Sequence, residues 1–212
     1  MLRESRIQAH HEALLAVKQS CFPRNSERSF RRSQTLTPPE RWEGIGLRVV
    51  AGAFRVSHPL MDGRRQITHF LFPGDLIGLA GVREHNGSIE AVTQARAVLF
   101  PLEGHQGEED ADHPDLYRNL LTALQARLFV LGHKNAREKL AAFLLEMSAR
   151  LSAGGDQIEL PMSRPDIADY LCLSSETVCR HFTQFVSDGL IALPDATTVR
   201  ILHRGALEFI GR

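Results

Sequence analysis

The chain has 212 residues, 43% of them hydrophobic and 24% charged, which is the composition of an ordinary globular protein and excludes wholesale disorder. Lys and Arg number 25 and Asp and Glu number 25, so the formal net charge is zero and bulk electrostatics announces neither a nucleic-acid nor a membrane partner. Three cysteines, Cys21, Cys172 and Cys179, lack the pairing and spacing of a disulfide framework or a four-cysteine zinc or iron–sulfur site, which points to a reducing compartment.

Residues 1–19 mix Arg3, Glu4, Arg6, His10, His11, Glu12 and Lys18 with short apolar pairs, so they lack the apolar core of a signal peptide. No stretch approaches the roughly 20 apolar residues of a membrane span, and the expected location is the cytoplasm. The length allows two modest domains. Across residues 29–102, glycines and prolines punctuate β-prone runs at 47–51, 53–58, 64–72 and 89–101. Asp62-Gly63 predicts a hairpin turn, because a tight hairpin needs positive φ and Gly takes it without penalty. Pro73-Gly74-Asp75 predicts a second turn. Short strands so spaced point to a small β-barrel or jelly roll.

The period turns helical between residues 114 and 151. Tyr117, Leu121, Leu124, Leu128 and Leu131 follow alternating steps of four and three, the a/d spacing of a coiled-coil seam. Such a helix either packs on its own β domain or pairs with a second copy. The run Leu128-Phe129-Val130-Leu131 puts apolar side chains all round the helix, which favours the second copy. Another helix is expected from Asn135, with Leu140, Phe143, Leu144, Met147 and Leu151 on one face and Gly154-Gly155 ending it.

Residues 163–185 read as two short helices joined by a tight turn. Ser163 is a natural N-cap, Pro165 fits the first turn, and Asp166 suits the positive helix end. Ile167, Tyr170 and Leu171 form the buried stripe, and the small Ala168 lets a second helix cross closely. Ser174 or Ser175 caps that second helix, whose Val178, Phe182, Phe185 and Val186 are expected to face the core. On the other face Glu176, Cys179 and Arg180 stand at i, i+3 and i+4, forming one exposed stripe near the helix N-terminus. Arg180 offers two donors to guanine O6 and N7, and Glu176 accepts from the cytosine N4 amine. The plain alternative is an exposed Glu-to-Arg pair worth about 0.3 to 0.5 kcal/mol.

Glu176-Thr177-Val178-Cys179-Arg180 resembles the Glu-Thr-Val/Ile-Ser/Gly-Arg recognition helix of the Crp/Fnr superfamily. Residues 135–144 resemble the helix that follows the dimer helix in Fnr-like proteins, residues 160–171 the approach to the winged helix, and residues 72–78 the Pro-Gly-Asp turn of the cyclic-nucleotide-binding-like β-roll. Similarity spans residues 29–212 and is strongest after 133. The resemblance implies an α+β chain with an N-terminal segment and β-roll over 1–113, a dimerisation helix over 114–134 and a winged helix-turn-helix over 135–212. It also implies a transcriptional regulator and homodimer that binds double-stranded DNA at a palindromic, TTGA-like site and works with RNA polymerase. No nucleophile–base pair or phosphate loop argues for an enzyme.

Departures from the pattern narrow the reading. Leu79 follows Gly78 where cyclic-AMP binders have Glu, and residues 83–90 contain no Arg-Ser or Arg-Thr step to hold a phosphate. Ordinary cyclic AMP binding is not expected. Only Cys21 precedes the DNA-binding region, so the iron–sulfur cluster of Fnr has no ligand set. The resemblance therefore falls on the FixK-like group, with no cofactor or metal expected. A haem- or small-ligand-sensing regulator is the first alternative, with His10, His11, His58, His69, His85, His105 and His133 as candidate axial ligands, and a β-roll interaction module or enzyme the second.

Cys179 stands where relatives carry Ser or Gly: either an inert contact, or a redox switch assisted by Arg180 and the helix N-terminus. Cys172 occupies the turn where Gly is usual, which predicts mild backbone strain. Residues 160–212 hold five Arg, no Lys and six acids, so nonspecific affinity should be modest. Arg164, Arg180 and His181 are expected near DNA, with Thr177 and Ser175 on phosphate.

Overall fold

The computed structural model describes residues 26–36, 44–101, 128, 130–132, 134–152 and 155–211. They fall into two compact units, one drawn from Met1–His58 and Phe70–Gln106, the other from Pro59–His69 and Gly107–Arg212.

The β-rich part runs β1 (Ser26–Phe30), β2 (Thr35–Leu36), β3 (Ile45–Ala51), β4 (Phe54–Pro59), β5 (Arg65–Leu71), β6 (Leu76–Gly78), α1 (Leu79–Glu84), β7 (Ser88–Ala91) and β8 (Ala95–Pro101). Two four-stranded sheets result, ordered β1-β8-β3-β6 and β2-β7-β4-β5. Phe30, Leu47, Phe54, Val56, Ile89 and Leu99 belong to one buried cluster. Burying each such side chain fully is worth about 1.5 to 3 kcal/mol. The sheets stay separate, so the barrel option is not realised among the described residues: β2 has two residues and β6 three, too short to close an edge.

Both turn signals act as expected. Gly63 has φ 83 and Gly74 φ 93. The Gly63 N–H donates to Leu60 O at 3.0 Å, and the Asp75 N–H to Phe72 O at 2.9 Å. The run expected over 89–101 is instead two strands, because the chain turns a corner at Val92–Gln94. There Val92 N–H donates to Ala53 O at 2.8 Å, and Ala53 N–H to Thr93 Oγ1 at 3.0 Å. Gly52, at φ 76, permits that approach: a Cβ on it would stand 2.4 Å from Gln94 O.

The second unit contains α2 (Ala136–Leu151), β9 (Gln157–Glu159), α3 (Arg164–Leu171), α4 (Ser175–Ser187), β10 (Ile191–Ala192), β11 (Thr198–Ile201) and α5 (Arg204–Gly211). Asn135 and Glu138 form a reciprocal capping box that starts α2, and Ser152 ends it ahead of the glycines. Leu140, Phe143, Leu144 and Met147 are buried as expected, whereas Leu151 is half-buried. The antiparallel sheet β10-β11-β9 forms the wing, with β9 against α2 and β10 against α4. Of the expected seam, Tyr117, Leu121 and Leu124 lie outside the described residues. Leu128 and Leu131 are helical, and Leu128 is 70% exposed in the single chain.

Candidate nucleic-acid interface

Helix α3 starts where its cap demands. Ser163 Oγ accepts the Asp166 N–H at 3.2 Å, while Asp166 Oδ2 accepts from Ser163 N–H at 3.2 Å and Ser163 Oγ–H at 2.8 Å. Ile167, Ala168, Tyr170 and Leu171 are buried. The helix stops at Cys172, which is left-handed at φ 55 and ψ 48, and the Leu173 N–H returns to Ala168 O at 3.0 Å. A Cβ at positive φ is strained, so the cysteine holds a place that glycine would fill at lower cost.

Helix α4 is capped by Ser174 rather than Ser175: Ser174 Oγ accepts the Thr177 N–H at 3.1 Å and lies 2.8 Å from Thr177 Oγ1. Val178, Phe182 and Phe185 are buried, as expected. Val186 is not; it is 42% exposed, because one residue advances 100° around a helix and carries it off the buried stripe onto the flank.

The opposite face is open. Ser175, Glu176, Cys179 and Arg180 are exposed, and Thr177 and His181 half-buried. Among the described residues no ion pair joins Glu176 to Arg180, so the stripe keeps both charges available. His181 Nδ1 is 2.8 Å from Gln184 Oε1. The Arg164 guanidinium carbon lies 3.4 Å from the Phe182 ring centre, a cation–π stack. Burial pushes the Arg164 pKa down, an effect opposed by the neighbouring Cys179 sulfur. Cys179 is thus within the field of Arg164, a neighbour that sequence spacing did not indicate.

Two other arginines are held by partners at the surface of the second unit. Arg137 pairs with Asp188 at 2.7 Å and stands 5.1 Å from the Phe185 ring, and Arg204 donates to Ser148 Oγ at 2.7 Å. The wing carries features that sequence reading left unassigned. Arg200 is exposed on β11. Asp195 Oδ1 accepts from Thr197 N–H at 2.8 Å and Thr198 N–H at 2.7 Å, and hydrogen bonds led by the Thr198 side chain hold its carboxyl down at about 2.

Residues 138–210 match the Crp-like helix-turn-helix domain family. The nitrogen fixation regulation protein FixK of Rhizobium meliloti (strain 1021) is 39% identical over 160 residues, covering 76% of this chain and 75% of that one. The chain belongs to the Crp/Fnr family, within its FixK-like branch. The transcriptional activator protein FnrA of Stutzerimonas stutzeri is 36% identical over 166 residues, covering 73% of this chain and 67% of its own length. The solved structure of FixK2 from Bradyrhizobium japonicum superposes with a TM-score of 0.71 at 33% identity, covering 89% of this chain and 98% of that one.

As a Crp/Fnr protein the chain is a transcriptional regulator that binds DNA through its helix-turn-helix, and its relatives are regulators rather than enzymes. Among the described residues no helix is long and apolar enough to cross a membrane.

Proposed function

We propose that this regulator binds as a homodimer, paired along the helix that carries Tyr117, Leu121, Leu124, Leu128 and Leu131, and lays one α4 from each copy into successive major grooves about 34 Å apart. In this reading residues 1–113 are the sensor-like part, 114–134 the dimerisation helix and 135–212 the DNA-binding part. Arg180 reads guanine, and Glu176 its paired cytosine, in a TTGA-like half-site. Arg164, Ser175, Thr177 and His181 position the backbone phosphates. On its promoter the dimer works with RNA polymerase, and cyclic AMP is not required.

The observation that carries the reading is the exposed stripe of Glu176, Cys179 and Arg180, in which neither charge is consumed by the other. A mobility-shift series against single-base operator variants tests it. Arg180→Ala costs about 1 to 3 kcal/mol at the cognate operator and flattens preference at one base pair. A uniform loss across all variants contradicts base reading by Arg180.

The exposure of the Cys179 thiol on this stripe favours a second element, redox control of binding. Peroxide oxidises an accessible cysteine thiolate to sulfenic acid. The added oxygen stands on the face offered to bases and weakens the complex. Peroxide-sensitive operator binding in the wild type, with insensitivity in Cys179→Ser, is the expected outcome, and equal losses in both exclude the switch.

A further inference from the structure

Two neighbouring residues far from the helix-turn-helix in sequence hold its first helix along its whole length. Within the second unit Arg65 donates through a terminal guanidinium nitrogen to Asp166 Oδ1 at 2.5 Å and through Nε to Asp169 Oδ2 at 2.7 Å. Asp166 and Asp169 are three apart on α3 and therefore share a face. Gln66 continues the line: its Nε2 donates to the Asp169 backbone carbonyl at 2.6 Å, and its Oε1 accepts from Cys172 Sγ at 3.1 Å. The contacts run from the N-cap turn of α3 to its C-cap.

Each end of this grip meets a position where α3 needs a partner. The Asp166 side chain is 4% exposed and already serves the Ser163 cap, and a carboxylate that deeply buried is costly unless a cation meets it. Cys172 sits in a strained left-handed conformation at the turn that aims α4. An eight-residue helix does not hold itself together in water, so its placement comes from what grips it.

We infer that Arg65 and Gln66 are positioning residues for DNA recognition: by fixing α3 from Asp166 to Cys172 they set the angle at which α4 presents Glu176 and Arg180. The inference rests on the reading that α4 touches the bases, and it assigns to β5 a part in operator affinity that no DNA-facing side chain supplies.

The test uses the full-length protein with Arg65→Gln, Arg65→Lys and the double variant Arg65→Gln/Asp166→Asn. Binding-competent concentration is first fixed by stoichiometric titration with operator, at a temperature well below each variant's melting point. Arg65→Gln should weaken operator binding about tenfold per competent dimer while changing binding to random-sequence DNA less than about twofold. Arg65→Lys, which keeps the charge and loses the two-pronged geometry, should fall between that variant and the wild type. The double variant, in which no carboxylate is left without its cation at Asp166, should recover part of the loss.

A lowered melting point with unchanged operator affinity per competent dimer makes Arg65 a stabilising residue only and overturns the inference. So does an equal loss on operator and random DNA. Arg180→Ala is measured alongside: if it leaves operator binding intact, the base-reading proposal has failed, whereas a normal Arg180→Ala loss with an inert Arg65→Gln is the failure of the positioning role alone.

Discussion

The Arg164 guanidinium sits over the Phe182 ring, with 3.4 Å between its central carbon and the ring centre. The ring is 2% exposed and anchored in the core, so it acts as a shelf that fixes a cation at the start of the helix-turn-helix. Without the shelf, a long side chain would keep rotamer entropy that any ordered contact must then remove.

That stack makes its own prediction. Arg164→Ala should weaken binding uniformly across operator variants, the signature of a phosphate contact. Phe182→Leu keeps the site apolar at a cost of roughly 1 to 3 kcal/mol of stability, yet removes the aromatic face and should reproduce a share of the affinity loss. Fluorescence anisotropy titrations with both variants, together with urea melts, separate the two effects.

Glu176→Gln is expected to leave stability within about 0.5 kcal/mol of the wild type, because the residue is exposed. Discrimination at the base pair assigned to it should relax by roughly 1 to 3 kcal/mol. Selection of binding sites from a randomised library would show the preference at that position widen while the rest of the site stays sharp.

Cys172 offers a stability prediction of opposite sign to the usual core substitution. At φ 55 a glycine escapes the Cβ clash, so Cys172→Gly should stabilise the protein by up to about 1 kcal/mol, less whatever the Gln66 contact contributes. Cys172→Val, branched at Cβ, should destabilise it. Equilibrium urea denaturation of the two variants decides the ordering.

The wing turn should loosen in acid. Asp195 is held down at about 2, below its ordinary 3.8, so its contribution to stability is complete above pH 3.8 and is lost as the pH falls toward 2. Amide resonances of Thr197 and Thr198, followed from pH 5 downward, should shift with a midpoint near 2 in the wild type. In Asp195→Asn that titration should vanish.

Local chemistry made much of this architecture legible before any coordinates. Ser163 with Asp166, and Gly63 in its turn, each carry their signal within three residues of the structure they create. The exposed stripe of α4 was legible for the same reason, since helical periodicity alone places Glu176, Cys179 and Arg180 together. What stayed hidden depends on contacts distant in sequence. The corner that separates β7 from β8 exists because Gly52 lets the chain pass Gln94, and the Arg65–Asp166 pair spans 101 positions. Val186 was misplaced because its hydrophobicity fits a buried stripe that Val178, Phe182 and Phe185 already complete. The choice of Ser174 over Ser175 as cap follows from where Cys172 turns the chain, a backbone fact that two adjacent serines cannot disclose.

The pairing of Arg137 with Asp188 and of Arg204 with Ser148 has a consequence for how the regulator behaves in a living cell. Each phosphate neutralised by a protein cation adds roughly 0.9 to the steepness with which binding falls as electrolyte rises, and cations held by the protein's own carboxylates and hydroxyls add less. Promoter occupancy by this protein should therefore fall less steeply through an osmotic upshift than that of a lysine-coated binder of the same size.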